Sequence, residues 1–447
     1  MNNLKNLTRT DPEIAYWIKK ETQRQKDVLE MIPSENYTSA AVLEALGSVL
    51  TNKYSEGYSA HRYYQGNRYI DRIEMLAIER CKKLFKVPHA NVQPYSGSPA
   101  NSAVYFALLS PGDKIMGLKL SGGGHLTHGH PNVTFSGKYF TSVQFNVEPD
   151  GWLDMEKVAI LAKKEKPKML IVGTTAYPRF FDWEKWRQIA DSVDAFFLAD
   201  IAHVAGLVVG GAYPSPVPFA DVVMFTTHKT IRGPRGAVLM VTDRGLERDQ
   251  DMGKKIDRAV FPGLSGGPHD NVTAAIAVCF KEAATARFKK YAKQIVKNAK
   301  TLAETLKQNG LKLTTNGTDS HLIVIDLRPQ QVIGNIVAEA LEVANIVANY
   351  NTVPHDQNPP MYPSGVRLGT PIVTTRNMKE KEMKQIGNWI VEVTDEVDHY
   401  RLPKAKEERS KFVKKVKAEL WKNKKLLAIA KEVKGLCHKF PAPGIDY

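Results

Sequence analysis

The stretch AFFLADIAHVAGLVVGGAYPSPVPFADVVMFTTHK, residues 195–229, holds two short apolar runs that each end in residues capable of chemistry. Residues 195–199 run into Asp200, with His203 three positions on. Residues 222–225 run into Thr226, Thr227, His228 and Lys229. Apolar runs of four or five residues bounded by turn signals read as strands buried on both faces. The same texture repeats outward. Met169-Leu170-Ile171-Val172 runs into Thr174 and Thr175, Ala237–Val241 follows as another strand, and helix-length segments such as 183–193 lie between. Alternating strands and helices over about residues 91–243 predict α/β architecture with a largely parallel sheet. Ligands of such sheets collect at the carboxyl ends of the strands, where adjacent loops open a crevice. Asp200, His203 and Lys229 stand at those ends.

At 447 residues the chain is too long for one small core. Helix-type patterning over 11–31, through Ile14, Trp17, Ile18, Val28 and Leu29, suggests an N-terminal helical arm within residues 1–50. A large domain is expected over 51–285. A smaller C-terminal α/β domain is expected over 286–447, with 322–327 as a strand and a final helical part over about 379–434.

Apolar residues make up 43% and charged residues 24%, ordinary for a soluble globular protein. No stretch of about 18 apolar residues predicts a membrane span. The polar first ten residues lack the apolar core of a secretory signal, so cytoplasm is the expected location. Cys81, Cys279 and Cys437 match no metal or redox spacing, and no metal site is expected. The net charge of +15 raises nucleic-acid binding, yet residues 404–439 alone hold 13 Lys/Arg against 4 Glu. There Phe412, Val413, Val416, Leu420, Leu427 and Val433 recur at helical spacing with lysines between them, which reads as an amphipathic helix with a basic wet face. Without zinc-finger spacing, RNP-like aromatics or a glycine–arginine tract, a dedicated nucleic-acid module is not expected.

The candidate chemistry centres on Lys229 and Asp200. A lysine in a desolvated crevice has its pKa lowered and forms Schiff bases. A carboxylate against a pyridinium nitrogen makes bound pyridoxal phosphate a better electron sink. Alone, a strand-end Asp also serves structure. A phosphate cradle is offered by Ser96-Gly97-Ser98 leading into a helix, where backbone N–H groups, hydroxyls and the dipole converge, although such turns also cap ordinary helices. His125, after Gly122-Gly123-Gly124, can stack on an aromatic ring or simply satisfy its loop. Arg367, in a Gly-bounded segment, can grip a carboxylate bidentately or stay a solvated surface group.

Taken together, the motifs resemble serine hydroxymethyltransferase over about residues 10–440. They are Ile32-Pro33-Ser34-Glu35-Asn36-Tyr37, Asn52-Lys53-Tyr54-Ser55-Glu56-Gly57-Tyr58 and Arg62-Tyr63-Tyr64-Gln65-Gly66. The Ser-Gly-Ser turn, Gly123 to Gly129, Asp200 to Gly206 and Thr226 to Thr230 follow in order. Arg232-Gly233-Pro234-Arg235-Gly236, Phe261 to His269 and Arg367 complete the series. The resemblance implies a fold-type-I pyridoxal-phosphate transferase with an N-terminal arm, a large, mostly parallel seven-stranded-sheet domain and a smaller C-terminal α/β domain. It implies a homodimer or dimer of dimers with active sites at the subunit interface. The reaction would interconvert serine plus tetrahydrofolate with glycine plus 5,10-methylenetetrahydrofolate.

By the same resemblance Lys229 carries the pyridoxal 5'-phosphate and Asp200 pairs with its ring nitrogen. His125 stacks on the ring, and Thr175 and His203 bond its phenolic oxygen. Ser96, Gly97 and Ser98 hold the phosphate, with Tyr54 and Gly267 supplied by the neighbouring subunit. Beside the lysine, Thr226 counts among the cofactor-binding residues and His228 among the catalytic ones. Ser34 and Arg367 hold the substrate carboxylate, with Tyr64, His203 and Arg235 near the substrate. Glu56 handles a proton near the serine hydroxyl, and Glu56, Leu120, Gly124, Leu126 and Asn351 correspond to folate-contacting positions. Departures from the family pattern fall at Arg68, Ser265, residues 59–61, Thr175 (threonine for serine), Tyr350 and residues 359–361. They leave the cofactor motifs intact. A folate-independent β-hydroxy-amino-acid aldolase or an α-methylserine-type enzyme would share every cofactor and carboxylate residue, with Glu56 and folate dependence as the discriminators.

Overall fold

The computed structural model describes residues 4–445; residues 1–3 and 446–447, the ends of the expected arm and C-terminal domain, lie outside the described residues. The chain divides into two compact units, Ala41–Lys293 and Met1–Ala40 with Gln294–Tyr447.

In the first unit the apolar runs form a seven-stranded sheet. Its order is His89–Asn91, Ala237–Val241, Val222–Thr226, Phe196–Asp200, Met169–Gly173, Lys114–Leu118 and Thr141–Phe145. The last five are mutually parallel, while Ala237–Val241 runs antiparallel to both of its neighbours. Every residue of Met169–Gly173, Val222–Thr226 and Ala237–Val241 is buried, as expected of strands covered on both faces. Helix Gly97–Leu108 lays Ala100, Ala103, Val104 and Tyr105 into a core shared with Leu198, Met224 and Leu239. Helix Trp183–Asp191 starts where the Asp182 carboxylate accepts the Lys185 N–H (3.1 Å), and buries Trp183, Trp186 and Ile189. Asp200 falls in register with Gly173 on one side and Met224 on the other, at the carboxyl end of the parallel strands.

The second unit holds an antiparallel sheet in the order Lys312–Leu313, Leu322–Asp326, Gly365–Gly369, Asn349–Asn351. A short helix, Lys5–Thr10, precedes the helix Pro12–Asp27, and Leu29–Glu30 then pairs in parallel with Ile346–Val347. Val28 and Leu29, counted with the helical pattern, are buried just past its end, whereas Ile14, Trp17 (58%) and Ile18 are exposed. The lysine-rich segment expected as a helix is two, Lys406–Leu420 and Lys424–Lys439. The break lies at Asn423, whose side-chain oxygen caps the second helix by accepting the Lys425 and Leu426 N–H groups (2.9 and 3.1 Å). Val416, Leu420 and Val433 are buried, and Phe412 and Val413 pack at the edge of the core. Leu427 stays exposed (39%).

One buried cation locks the ends of this unit's chain together. Arg376, 1% exposed, donates to five backbone carbonyls. Nε reaches Phe440 (2.7 Å); Nη1 reaches Gln25 and Val28 (3.3 and 2.9 Å); Nη2 reaches Lys26 and Cys437 (3.0 and 2.8 Å). These acceptors belong to the last turns of helices Pro12–Asp27 and Lys424–Lys439 and the residues just beyond. Terminal carbonyls of a helix lack intrahelical partners and carry the negative end of its dipole, so a rigid five-donor fork satisfies both ends at once. Arg376→Met is expected to lower stability by about 3 kcal/mol or more, since several carbonyls lose their donors inside the core. Chemical denaturation of wild type and variant measures this, and an unchanged midpoint would show that water replaces the guanidinium.

Candidate active site

At the carboxyl ends of the parallel strands the first unit opens a cleft of about 240 Å³. Eleven of the residues singled out from the sequence line it: Ser96, Gly97, Ser98, His125, Thr175, Asp200, His203, Thr226, His228, Lys229 and Arg235. They come from four strand–loop junctions and one helix start, brought together because parallel strands deliver all their carboxyl ends to one edge.

Lys229 follows the strand Val222–Thr226 on a loop closed by its own backbone. Thr227 N–H bonds Gly236 C=O (3.0 Å), Gly233 N–H bonds Thr227 C=O (2.6 Å), and the Thr227 hydroxyl donates to Pro234 C=O (2.6 Å). The Cys279 thiol donates to Ile231 C=O (3.3 Å) from behind. Lys229 Nζ donates to Thr226 Oγ1 (3.0 Å), which places a primary amine in the cleft. Beside it His228 accepts from Arg235 Nη1 at Nε2 (3.2 Å), and its buried Nδ1 has no hydrogen-bond partner among the described residues. Burial, reinforced by the charges of Lys229 and Arg235, pulls the His228 imidazole down to about 3, so it is neutral at physiological pH.

Asp200 is buried, and all its donors come from fixed groups. Oδ2 accepts from Asn101 Nδ2 (3.0 Å) and His128 Nε2 (3.0 Å), and Oδ1 accepts the Ala202 N–H (3.0 Å). Burial opposes its ionisation, but the hydrogen bonds from His128 and Asn101 hold it well below the ordinary carboxylate range. Asn101 sits one turn into helix Gly97–Leu108, and its amide also donates to Thr127 Oγ1 (2.9 Å). Nothing in the sequence gives Asn101 or His128 a role; the signal was their place near Ser98 and His125.

His125 occupies the turn after Gly123-Gly124. Its Nδ1 lies 2.7 Å from Thr127 Oγ1. Burial and the neighbouring His128 draw its imidazole down to about 4. Gly124 is obligatory, since a Cβ there would strike the Leu118 carbonyl oxygen. The Gly124 carbonyl accepts the Thr175 hydroxyl (3.0 Å), which ties the turn to the end of Met169–Gly173. Leu120 and the exposed Leu126 (43%) flank the same turn.

Ser96 is the N-cap of helix Gly97–Leu108, but its side chain makes no cap hydrogen bond. The first-turn N–H groups therefore converge on the cleft with two serine hydroxyls, a donor set suited to a dianionic phosphate. Gly97 allows the close approach, because a Cβ would come within 2.9 Å of Thr226 Cγ2. An amine, an ionised carboxylate opposite donors for an anion, and a neutral imidazole fit pyridoxal phosphate in every functional group.

Not every expected site residue lines this cleft. Tyr54, Glu56, Tyr64 and Gly267 form a cluster of their own in the same unit. Tyr54 donates to Glu56 Oε1 (3.2 Å), its ring meets Tyr64 edge-on (4.9 Å between centroids), and it packs against Gly267. Tyr54 and Tyr64 are exposed (53% and 45%). In the other unit Arg367 lies on Gly365–Gly369, with Nε donating to Asn349 Oδ1 (3.1 Å). Burial lowers its guanidinium to about 10, so it is still a cation at neutral pH. The segment bearing Ser34 is fastened to the end of that strand, where Gly369 N–H bonds Met31 C=O (2.7 Å). Asn351 pairs with Gly365 on the neighbouring strand.

The family model described as serine hydroxymethyltransferase matches residues 7–390. The serine hydroxymethyltransferase of Acidothermus cellulolyticus is 52% identical over 441 residues, 98% of this chain and 97% of that protein. That of Desulfotalea psychrophila is 49% identical over 441 residues, 99% and 96% of the two chains. That of Sorangium cellulosum is 49% identical over 446 residues, 100% and 98%.

The two depressed imidazoles set a pH dependence of stability. The unfolded chain takes up protons as pH falls through the ordinary histidine value of 6.5, while folded His125 and His228 refuse them until about 4 and about 3. The unfolded state then binds more protons, so stability is lost as pH falls through that window, by up to about 1.4 kcal/mol per pH unit per group. The denaturation midpoint is expected to drop between about pH 7 and pH 4.5, less steeply in His228→Asn. Parallel pH profiles for wild type and variant would show that the folded His228 titrates normally.

Proposed function

Because the chain belongs to the serine hydroxymethyltransferase family, we infer that its Lys229 cleft is the seat of pyridoxal-phosphate-dependent transfer of the serine hydroxymethyl carbon. The enzyme is a pyridoxal-phosphate-dependent transferase that uses tetrahydrofolate as co-substrate, and it converts serine and tetrahydrofolate reversibly to glycine and 5,10-methylenetetrahydrofolate. Relatives near 50% identity along essentially the whole chain carry this name, which favours folate-dependent transfer over a folate-independent aldolase. The observation that carries the residue roles is the convergence of Lys229, buried ionised Asp200 and an uncapped helix start on one cleft.

Pyridoxal phosphate, when bound, supplies the electron sink for the pair left on the substrate's α-carbon. The chain's own groups do the rest. Lys229 Nζ would hold the cofactor covalently at its aldehyde carbon. Asp200 keeps a proton at the ring nitrogen, which an ionised carboxylate does best in a dry site. His125, held neutral, would lie against the ring face without repelling a cationic ring. Thr175 and His203, which line the cleft, would bond the phenolic oxygen. Ser96, Gly97, Ser98 and the helix N-terminus grip the phosphate. Thr226 orients the Lys229 amine, and His228 with Arg235 borders the substrate. Ser34 and Arg367 take the substrate carboxylate, Arg367 as a fork that needs no proton at neutral pH. Glu56, with Tyr64 beside it, handles the proton of the serine hydroxyl. Leu120, Gly124, Leu126 and Asn351 serve folate.

Glu56, Tyr54, Tyr64 and Gly267 stand together yet do not line the Lys229 cleft of their own chain. This supports a homodimer, or a dimer of dimers, in which each subunit lends that cluster to its neighbour's cleft. The exposed Tyr54, Tyr63, Tyr64 and Tyr69 are the apolar surface such an interface would bury. All three cysteines are buried thiols, in keeping with the reducing cytoplasm. No described helix is long and apolar enough to cross a membrane.

Glu56→Gln is expected to retain the cofactor's visible absorbance while folate-dependent serine cleavage falls by roughly 10²–10⁴-fold. Full activity in this variant would remove Glu56 from proton transfer. Lys229→Ala is expected to abolish both the covalent attachment, read by borohydride reduction and mass analysis, and turnover. In the wild type, glycine alone is expected to leave the spectrum little changed, and glycine with tetrahydrofolate to raise a new long-wavelength band. A spectrum indifferent to folate would favour the aldolase reading.

A further inference from the structure

Two buried residues left without a role, His128 and Asn101, meet on a single carboxylate oxygen. His128 Nδ1 accepts the His125 backbone N–H (3.3 Å), so its proton sits on Nε2, the nitrogen 3.0 Å from Asp200 Oδ2. Asn101 Nδ2 supplies the second donor to that oxygen (3.0 Å). An ionised carboxylate offers about two lone-pair sites per oxygen. Oδ2 is therefore saturated, while Oδ1, which among the described residues accepts only the Ala202 N–H (3.0 Å), keeps one site for another donor. We propose that His128 is a positioning residue that holds Asp200 ionised with Oδ1 turned to the cofactor's ring nitrogen, its tautomer locked by the His125 amide. The proposal rests on the reading of Asp200 as the partner of that nitrogen.

The same turn thereby serves both sides of the ring's chemistry. The His125 side chain lines the cleft, while its amide fixes the proton on His128. The backbone around His128 is tightly held. A Cβ on Gly117 would come within 3.0 Å of the His128 Cβ, and the Tyr105 hydroxyl bonds Thr127 C=O (2.7 Å). Without the Nε2–H donor, a buried carboxylate keeps only two donors and takes up a proton more readily. A protonated Asp200 cannot hold a proton on the ring nitrogen.

The test uses pyridoxal phosphate labelled with ¹⁵N in its ring, bound to wild type, His128→Leu and His128→Gln, where glutamine keeps an N–H near the Nε2 position. The ring ¹⁵N shift is expected to report a protonated nitrogen in wild type and His128→Gln and an unprotonated one in His128→Leu. Cofactor affinity in His128→Leu is expected to fall roughly ten- to a hundredfold, the factor one charge-assisted hydrogen bond corresponds to. A merely structural role would move the affinity without moving the ring shift. Ring protonation that persists in His128→Leu overturns the proposal alone. An unprotonated ring nitrogen in the wild type overturns the Asp200 reading, and the proposal with it. Should His128→Leu fail to fold, ¹⁵N-histidine spectra of the wild-type apoprotein still decide: Nε2–H with an acceptor Nδ1 is expected for His128, and the opposite tautomer overturns the proposal.

Discussion

A buried carboxylate has to be compensated where it lies, and the Asp200 site is arranged around that requirement. Left without donors, such an ion costs several kcal/mol in effective desolvation. Three N–H groups meet it, from Asn101 on a helix, His128 on a glycine turn and Ala202 just past its own strand. Each donor belongs to an element that does something else at the cleft. The helix of Asn101 begins at Ser96-Gly97-Ser98, and the turn of His128 carries His125. Satisfying one charge thus fixes the Ser96-Gly97-Ser98 helix start and the His125 turn relative to each other. It also explains why the site tolerates neutral histidines: the negative charge is already matched by dipoles and hydrogen bonds rather than by a mobile cation.

The Lys229 loop is held by a different device. Thr227 closes it through backbone bonds to Gly236 and Gly233, with its hydroxyl on Pro234. The bonds that close this loop run between backbone groups and the Thr227 hydroxyl. The second unit uses its own lock, the guanidinium of Arg376 between two helix ends, to keep the N-terminal segment and the last helix in one body. Both locks satisfy backbone groups that would otherwise be buried unpaired.

The strands were legible because strands covered on both faces must be almost continuously apolar, as Met169–Gly173, Val222–Thr226 and Ala237–Val241 are. Asp200 and Lys229 were legible as the polar residues that end such runs. The lysine-rich segment was harder. Its helical spacing was visible across residues 404–439, but the break at Asn423 depends on one side-chain oxygen that periodicity does not register. Likewise Val28 and Leu29 matched the pattern of the preceding helix, although they are buried as part of the extended segment that pairs with Ile346–Val347.

The sequence by itself determined the reactive inventory: an amine and a carboxylate at strand ends, a Ser-Gly-Ser helix start and a glycine turn bearing His125. These are local facts, set by which residue follows which apolar run, and local order is what a sequence records. Only the tertiary structure decided that His128 and Asn101 share one oxygen of Asp200, that Ser96 leaves its helix uncapped, and that Glu56 with Tyr54, Tyr64 and Gly267 stands apart from the Lys229 cleft. Hydrogen-bond partners 26 to 215 residues apart, such as Asn101 with Thr127 or Ser55 with Asp270, are chosen by the sheet's crossover connections. No spacing along the chain encodes which of several buried donors will reach a given oxygen, because that depends on packing distances the fold sets all at once.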